Sequence, residues 1–207
     1  MSLPFSNGMI DAKVEHGVYL LALAALAKSE ESMSHVRRVG LISETLAIAS
    51  GIPAEHARAI GLAAPLHDIG KVTVPEEILR KPGSHTPEEA AIMRGHAEAG
   101  RRMLSATNLP LLCLAAEIAG AHHENWDGSG YPRGLAAGAI PLSARVVALA
   151  DVFDALSSRR CYKDAWGEER VQAFIVEQRA KKFDPRFVDV LIRQWTRIGE
   201  IRRQIED

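Results

Sequence analysis

The chain has 207 residues, 47% of them hydrophobic and 25% charged, enough for one sizeable core and the balance of a folded soluble protein rather than a disordered one. A formal net charge of −1 with no dense Lys/Arg stripe argues against a nucleic-acid polymer or an anionic membrane as partner, and leaves room for a small anion held by a few local cations. The two cysteines, Cys113 and Cys161, stand far apart and outside any CxxC spacing, which excludes a disulfide framework and a thiolate zinc site and fits a reducing cytoplasm.

The pattern predicts helices at about 9–28, 31–50, 54–68, 87–105, 110–123, 142–160, 168–180 and 185–205, with no alternating strand pattern and no internal repeat. The expected fold is an all-α bundle of about seven to eight helices. Residues 1–30 form an N-terminal helix leading into one compact domain, 31–207. The apolar run VYLLALAALA (18–27) is shorter than the roughly 20 residues a bilayer requires and is read as a core helix. Gly51 stops the second helix and Pro53 suits the first turn of the third. Thr86, Pro87 and Glu89 have the spacing of a capping box, and Asp184-Pro185 fits a cap and first helical position. The two longest non-helical stretches, 69–86 and 124–141, both follow histidines, and a compact domain rarely carries long loops without a use for them.

Several polar residues stand where apolar ones are expected. His67-Asp68 closes an apolar helix, and Asp68 there requires a hydrogen-bond partner or a metal. Asp151 and Asp154 interrupt a run that is otherwise core. A cap or salt bridge would serve a single such aspartate; for two, alongside several histidines, a shared cation is the better account. His96 faces the core with Ile92 and Met93, as either a satisfied core histidine or a ligand. Glu31 and His35, four apart, share one helix face, either as an exposed acid–histidine pair or as joint ligands. His16, His56 and His85 have no such company and are read as surface or structural residues.

His122 and His123, about 100° apart on a helix, serve one ion only at a frayed helix end, which the glycine-rich segment after them supplies. The set Glu31, His35, His67, Asp68, His96, His122, His123 and Asp151 exceeds what one tetrahedral zinc needs. It suits two or three ions of higher coordination, Fe or Mn.

HDIGK (67–71), HHENWDGSGYP (122–132), ADVFDALSSRRCYK (150–163) and FDP (183–185) together resemble the HD-GYP family, a branch of the HD metal-dependent phosphohydrolases. The similarity runs from about residue 31 to the C-terminal helix. It implies an HD-type helical bundle and hydrolysis of the bacterial second messenger cyclic di-GMP to pGpG or GMP. It assigns His35, His67, Asp68, His96, His122, His123 and Asp151 to metals, and Glu31 to a third metal present in some members. Lys71 matches the lysine of HDxGK, and Arg160 and Lys163 match the phosphate-contacting cations. One departure is Arg160-Cys161-Tyr162-Lys163 where many members read R-P-Y-K; it loosens a turn and removes no ligand. Gly128, Gly130 and Pro132 would shape a loop beside the metals, with Trp126 and Tyr131 packing it or stacking on a guanine. Gly130, Tyr131 and Pro132 are linked by the resemblance to protein partners as much as to catalysis. A regulatory domain, a diguanylate cyclase partner and a homodimer are all compatible with it.

The expected mechanism is in-line attack by a hydroxide bridging ions around Asp68, with Lys71 steadying a phosphate oxygen or the leaving group. Arg160 and Lys163 would hold the phosphates, which requires the chain to turn back near Ser158–Cys161. Two alternatives remain: another cyclic dinucleotide as substrate, or a non-catalytic module that binds cyclic di-GMP or scaffolds a partner.

Overall fold

Ser32, Thr86 and Asp184 each start a helix with a side-chain oxygen. Ser32 Oγ accepts from the His35 N–H (3.1 Å), Thr86 and Glu89 form a reciprocal capping box, and Asp184 accepts from the Arg186 N–H (2.9 Å). The computed structural model describes residues 12–28, 32–158 and 165–205. Its helices are α1 (Ala12–Leu26), α2 (Met33–Ala49), α3 (Ala54–Ala63), α4 (Glu76–Leu79), α5 (Pro87–Leu104), α6 (Pro110–Ala119), α7 (Leu142–Ser157), α8 (Glu168–Glu177), α9 (Pro185–Arg193) and α10 (Trp195–Gln204). The fold is all-α, and the described residues form no strand beyond an isolated bridge between Arg179 and Phe183.

Among the described residues the helices number ten rather than the seven to eight expected. One addition is the single turn α4. The other comes from a break at Gln194, which divides the C-terminal helix; Trp195 then meets Phe153 of α7 edge-on at 5.4 Å. Several expected helices also end early, and three of these ends matter for the site. The third stops at Ala63 because Pro65 has no N–H to continue the ladder, and short 3-10 turns at 64–66 and 69–73 flank Asp68. The fifth expected helix stops at Ala119, so His122 and His123 lie in the turns beyond it. The sixth stops at Ser157, and Ser158 is extended.

One cluster of buried apolar side chains joins the helices, from Val18 and Ala22 of α1 through Ile42, Leu46, Ile60, Ile118 and Leu149 to Phe187, Leu191 and Ile198. Two close approaches set the geometry near the site. A Cβ on Gly40 would lie 2.7 Å from the Gly61 carbonyl, so α2 and α3 cross almost in backbone contact. A Cβ on Gly70 would lie 2.0 Å from the His96 carbonyl, so the turn after His67-Asp68 is pressed against the middle of α5. No helix of the described residues is long and apolar enough to cross a membrane.

Candidate metal centre

The structure brings together His35 of α2, His67 and Asp68 of the turns after α3, His96 of α5, His122 and His123 beyond α6, and Asp151 of α7. Their donor atoms form two groups, His35/His67/Asp151 and Asp68/His96/His122/His123, each with all its atoms within 4.8 Å of one another. Asp68 faces both. Its Oδ1 lies 3.0 Å from His96 Nε2 and 3.5 Å from His122 Nε2, and its Oδ2 lies 3.3 Å from His67 Nε2 and 2.6 Å from Lys71 Nζ.

Four of the imidazoles are oriented through Nδ1. His67, His96 and His122 each place it against the carbonyl three residues earlier, Ala64 (2.9 Å), Met93 (2.6 Å) and Ala119 (3.0 Å). A carbonyl only accepts, so Nδ1 carries the proton and Nε2 presents a lone pair to the centre. His35 Nδ1 instead meets the Asp154 carboxylate at 2.8 Å. Lone pairs therefore face acceptors: His96 Nε2 is 3.0 Å from Asp68 Oδ1 and 3.1 Å from His123 Nε2. His122 Nε2 and Asp68 Oδ1 are buried with no hydrogen-bond partner. Acceptors that converge in this way need a cation between them, and two ligands at about 2.1 Å meeting near a right angle lie about 3 Å apart. The donor set fits divalent ions, one for each group with Asp68 shared.

The electrostatics agree with that fit. Burial raises the Asp68 carboxyl, but the neighbouring Lys71, His67 and His122 side chains hold it well below the usual carboxylate range. Asp151 is likewise pushed up by burial and drawn down further by His35 and His67. Burial lowers His122 and, more strongly, His123. These groups are neutral imidazoles and ionised carboxylates near neutral pH, the states in which they bind metal.

The loop after His123 is built against this cluster. A Cβ on Gly130 would lie 2.2 Å from the Asn125 nitrogen and 2.5 Å from the His123 carbonyl, so only glycine admits the turn. Tyr131 donates its N–H to the His123 carbonyl (3.1 Å) and stacks on the His123 ring at 4.7 Å, with the Arg94 guanidinium 5.3 Å above it. Burial, with Asp68 second, pushes the Tyr131 phenol up to about 12. Pro132 is exposed, and the Tyr131–Pro132 bond is cis. Trp126 packs within the loop, with the Arg145 guanidinium 5.7 Å from its ring.

Glu31, Arg160 and Lys163 lie outside the described residues. The chain does reverse beyond α7, since the Trp166 N–H returns to the Leu156 carbonyl at 3.0 Å. The shared-cation reading of Asp154 is corrected: its carboxylate, fully buried, is gripped by Arg38 through Nε (2.7 Å) and Nη2 (3.1 Å) and lies behind His35, not among the ligand groups. Arg38 was also missed, although it follows His35 by three residues on the same buried face of α2. So was Glu124, whose buried carboxylate accepts the N–H groups of Arg133 (2.8 Å) and Leu135 (3.0 Å) and closes the loop.

A family model described as an HD domain matches residues 20–187. The 3'3'-cGAMP-specific phosphodiesterase 2 of Vibrio cholerae is 44% identical over 190 residues, 92% of this chain and 36% of that one. The cyclic di-GMP phosphodiesterase response regulator RpfG of Xanthomonas campestris is 47% identical over 171 residues, 83% of this chain and 44% of that one. A cyclic di-GMP phosphodiesterase of Thermotoga maritima is 43% identical over 188 residues, covering 91% and 51%. The chain thus spans between about a third and a half of the length of these relatives. In fold it resembles Bd1817, an HD-GYP-type protein of Bdellovibrio bacteriovorus, with a TM-score of 0.62 at 20% identity over 88% of this chain and 61% of that one. The chain belongs to the HD-domain family, in its HD-GYP branch.

Proposed function

We propose that the protein is a metal-dependent phosphodiesterase that hydrolyses cyclic di-GMP in the cytoplasm. Water is added across one P–O3' bond to give linear pGpG, and a second addition gives two GMP. The observation that carries this reading is Asp68, one carboxylate turned toward two separate groups of histidines. His35, His67 and Asp151 would hold one divalent ion and His96, His122 and His123 another, Fe or Mn, with Asp68 common to both. Bound ions would supply Lewis-acid charge and an activated water. Lys71, ion-paired to Asp68 Oδ2, is positioned to neutralise a phosphate oxygen or to protonate the departing 3' oxygen. Tyr131, kept as a neutral phenol, forms one wall and can donate a hydrogen bond. In the same reading, the exposed edge at Pro132 beside Gly130 and Tyr131 is where a regulatory domain or a diguanylate cyclase would dock.

The relative from V. cholerae named for 3'3'-cGAMP, 44% identical over 92% of this chain, supports that mixed dinucleotide as a second substrate. The deciding experiment loads the protein with Fe(II) or Mn(II) under anaerobic conditions and offers cyclic di-GMP and 3'3'-cGAMP in parallel, with products separated by chromatography. Turnover of cyclic di-GMP, lost together with metal in Asp68→Ala, is expected. A metal-loaded protein that binds a dinucleotide without cleaving it would overturn the enzyme in favour of a sensor.

A further inference from the structure

Lys182 lies in the turn between α8 and α9, and its backbone is held from two sides. Its N–H donates to the Gln178 carbonyl (3.0 Å), and its own carbonyl accepts the Trp126 N–H (3.1 Å). The neighbouring Lys181 carbonyl accepts the Asp127 N–H (2.9 Å). These bonds clasp residues 181–182 to the loop that follows His122 and His123, so the Lys182 side chain departs from a fixed point.

That side chain is partly buried and poorly satisfied. The ammonium has three donors; among the described residues it makes one hydrogen bond, a long one of 3.5 Å to the neutral Asn125 Oδ1, and no ion pair. The Phe183 ring lies 6.0 Å away. Burial lowers the Lys182 amine, and the charge of Asp151 is what opposes that effect. A partly desolvated ammonium is costly unless an anion compensates it. Asp151 supplies that compensation only while its own charge is unspent. Once the His35/His67/Asp151 group holds a cation, that counter-charge is spent and the ammonium keeps its long bond to Asn125.

We propose that Lys182 is a substrate-contacting residue whose free N–H donors bind a non-bridging phosphate oxygen of the cyclic dinucleotide, from the side of the centre formed by the 181–184 turn. The assignment rests on the phosphodiesterase reading for the identity of the ligand, and on the clasped turn and the underused ammonium for the contact. Lysine suits it as a compact point charge that tolerates several phosphate orientations. The phosphates are common to cyclic di-GMP and 3'3'-cGAMP, so Lys182 adds affinity for the class rather than choice between bases.

The test compares wild type, Lys182→Gln and Lys182→Arg, all metal-loaded, with both dinucleotides over a series of salt concentrations. Lys182→Gln is expected to raise KM about tenfold for each substrate, the loss of one charge-assisted hydrogen bond, with kcat within about twofold. Metal content stays the same, the salt dependence of KM becomes shallower, and Lys182→Arg recovers most of the loss. An unchanged KM and salt dependence would overturn the contact. A rise confined to one dinucleotide would overturn the phosphate assignment and point to a base. Loss of helical content or of metal in Lys182→Gln would overturn it by assigning the side chain to folding. Calorimetric titration of cyclic di-GMP into metal-loaded protein, with the products checked by chromatography, separates this proposal from the activity. If the metal-loaded wild type binds but does not cleave, the enzyme reading fails while Lys182 still stands or falls on a tenfold weaker binding by Lys182→Gln. If the wild type binds no cyclic dinucleotide at all, both fail.

Discussion

Nδ1 of His35 and Oδ2 of Asp154 lie 2.8 Å apart, joining α2 to α7 across 119 residues of sequence. Among the four imidazoles held through Nδ1, only this one meets a carboxylate. Arg38 grips the same carboxylate and extends through Nη1 to the Ile205 carbonyl (2.8 Å) and through Nη2 to Ser158 Oγ (3.0 Å). The network fixes the plane of His35 so that Nε2 points toward Asp151, 3.4 Å away. Asp154→Asn should therefore weaken metal binding in the His35/His67/Asp151 group by about 10- to 100-fold while sparing the other group. It should also cost stability, about 3–5 kcal/mol, because the Arg38 charge stays buried without its partner. Metal equivalents retained through graded chelation, read by elemental analysis, check the first effect. Equal loss from both groups, or from neither, would refute it.

Much of this arrangement was legible because polar residues in apolar runs are conspicuous. His67-Asp68 and His122-His123 announce themselves, and Gly70 and the glycines after His123 mark where helices must stop. What periodicity does not reveal is direction in space. Asp151 and Asp154 stand three apart in one apolar run, and nothing local says that one faces the cluster while the other lies behind His35. The depth of the Gly70–His96 contact was likewise hidden, since it depends on two backbones far apart in sequence. Lys182 sits in a charged surface-like stretch, QRAKKFDP, and its burial follows from the clasp by Trp126, a tertiary contact with no sequence signal.

Acid should destabilise the metal-free protein in two stages. His122 and His123 have folded pKa values lowered by burial, so below the unfolded value of about 6.5 the unfolded chain binds more protons and stability falls as pH decreases. Asp68 and Asp151 are also lowered; the stability they contribute is fully present above the unfolded carboxylate value of about 3.9 and is lost as pH falls through their folded values. Both effects have the same sign. Thermal melts in EDTA at pH 8, 7, 6 and 5 should show Tm falling below pH 7, and metal-loaded protein should fall more steeply because protons compete for the ligands. A Tm in EDTA that holds or rises from pH 7 to pH 5 would contradict the ionisation states assigned to the centre.

Glu31 bears on the number of metals. Ser32 caps α2 through the His35 N–H, so Glu31 immediately precedes the cap of the helix that delivers His35 to the centre. A carboxylate there could complete a third ion site beside the His35 group or favour the helix start through the dipole. The first role is expected. Carefully loaded wild type should hold three metal equivalents, with the third the weakest, and Glu31→Ala should hold two. Anomalous scattering at a metal edge that gives two sites in the wild type, with Glu31 turned to solvent, would leave a binuclear enzyme.

Arg160 and Lys163 follow Asp151 by nine and twelve residues, and on one continuous helix they would lie about 13–18 Å from it at roughly 1.5 Å per residue. The helix does not continue. It ends at Ser157, Ser158 is tied to Arg38 and Asp154, and by Trp166 the chain is back at the Leu156 carbonyl. Ser158 and Trp166, the described residues that bracket both cations in sequence, thus both meet the last turn of α7, the helix that holds Asp151. Ser158 also belongs to the network that orients His35. Arg160→Ala should raise KM for cyclic di-GMP by ten- to a hundredfold with metal content unchanged, the loss expected for an arginine–phosphate pair of about 1.5–3 kcal/mol. Combined with Lys182→Gln it should give additive losses, because the two cations would approach the substrate from different segments. Steady-state kinetics on the single and double variants measures both. A wild-type KM in Arg160→Ala would remove this arginine from the substrate site.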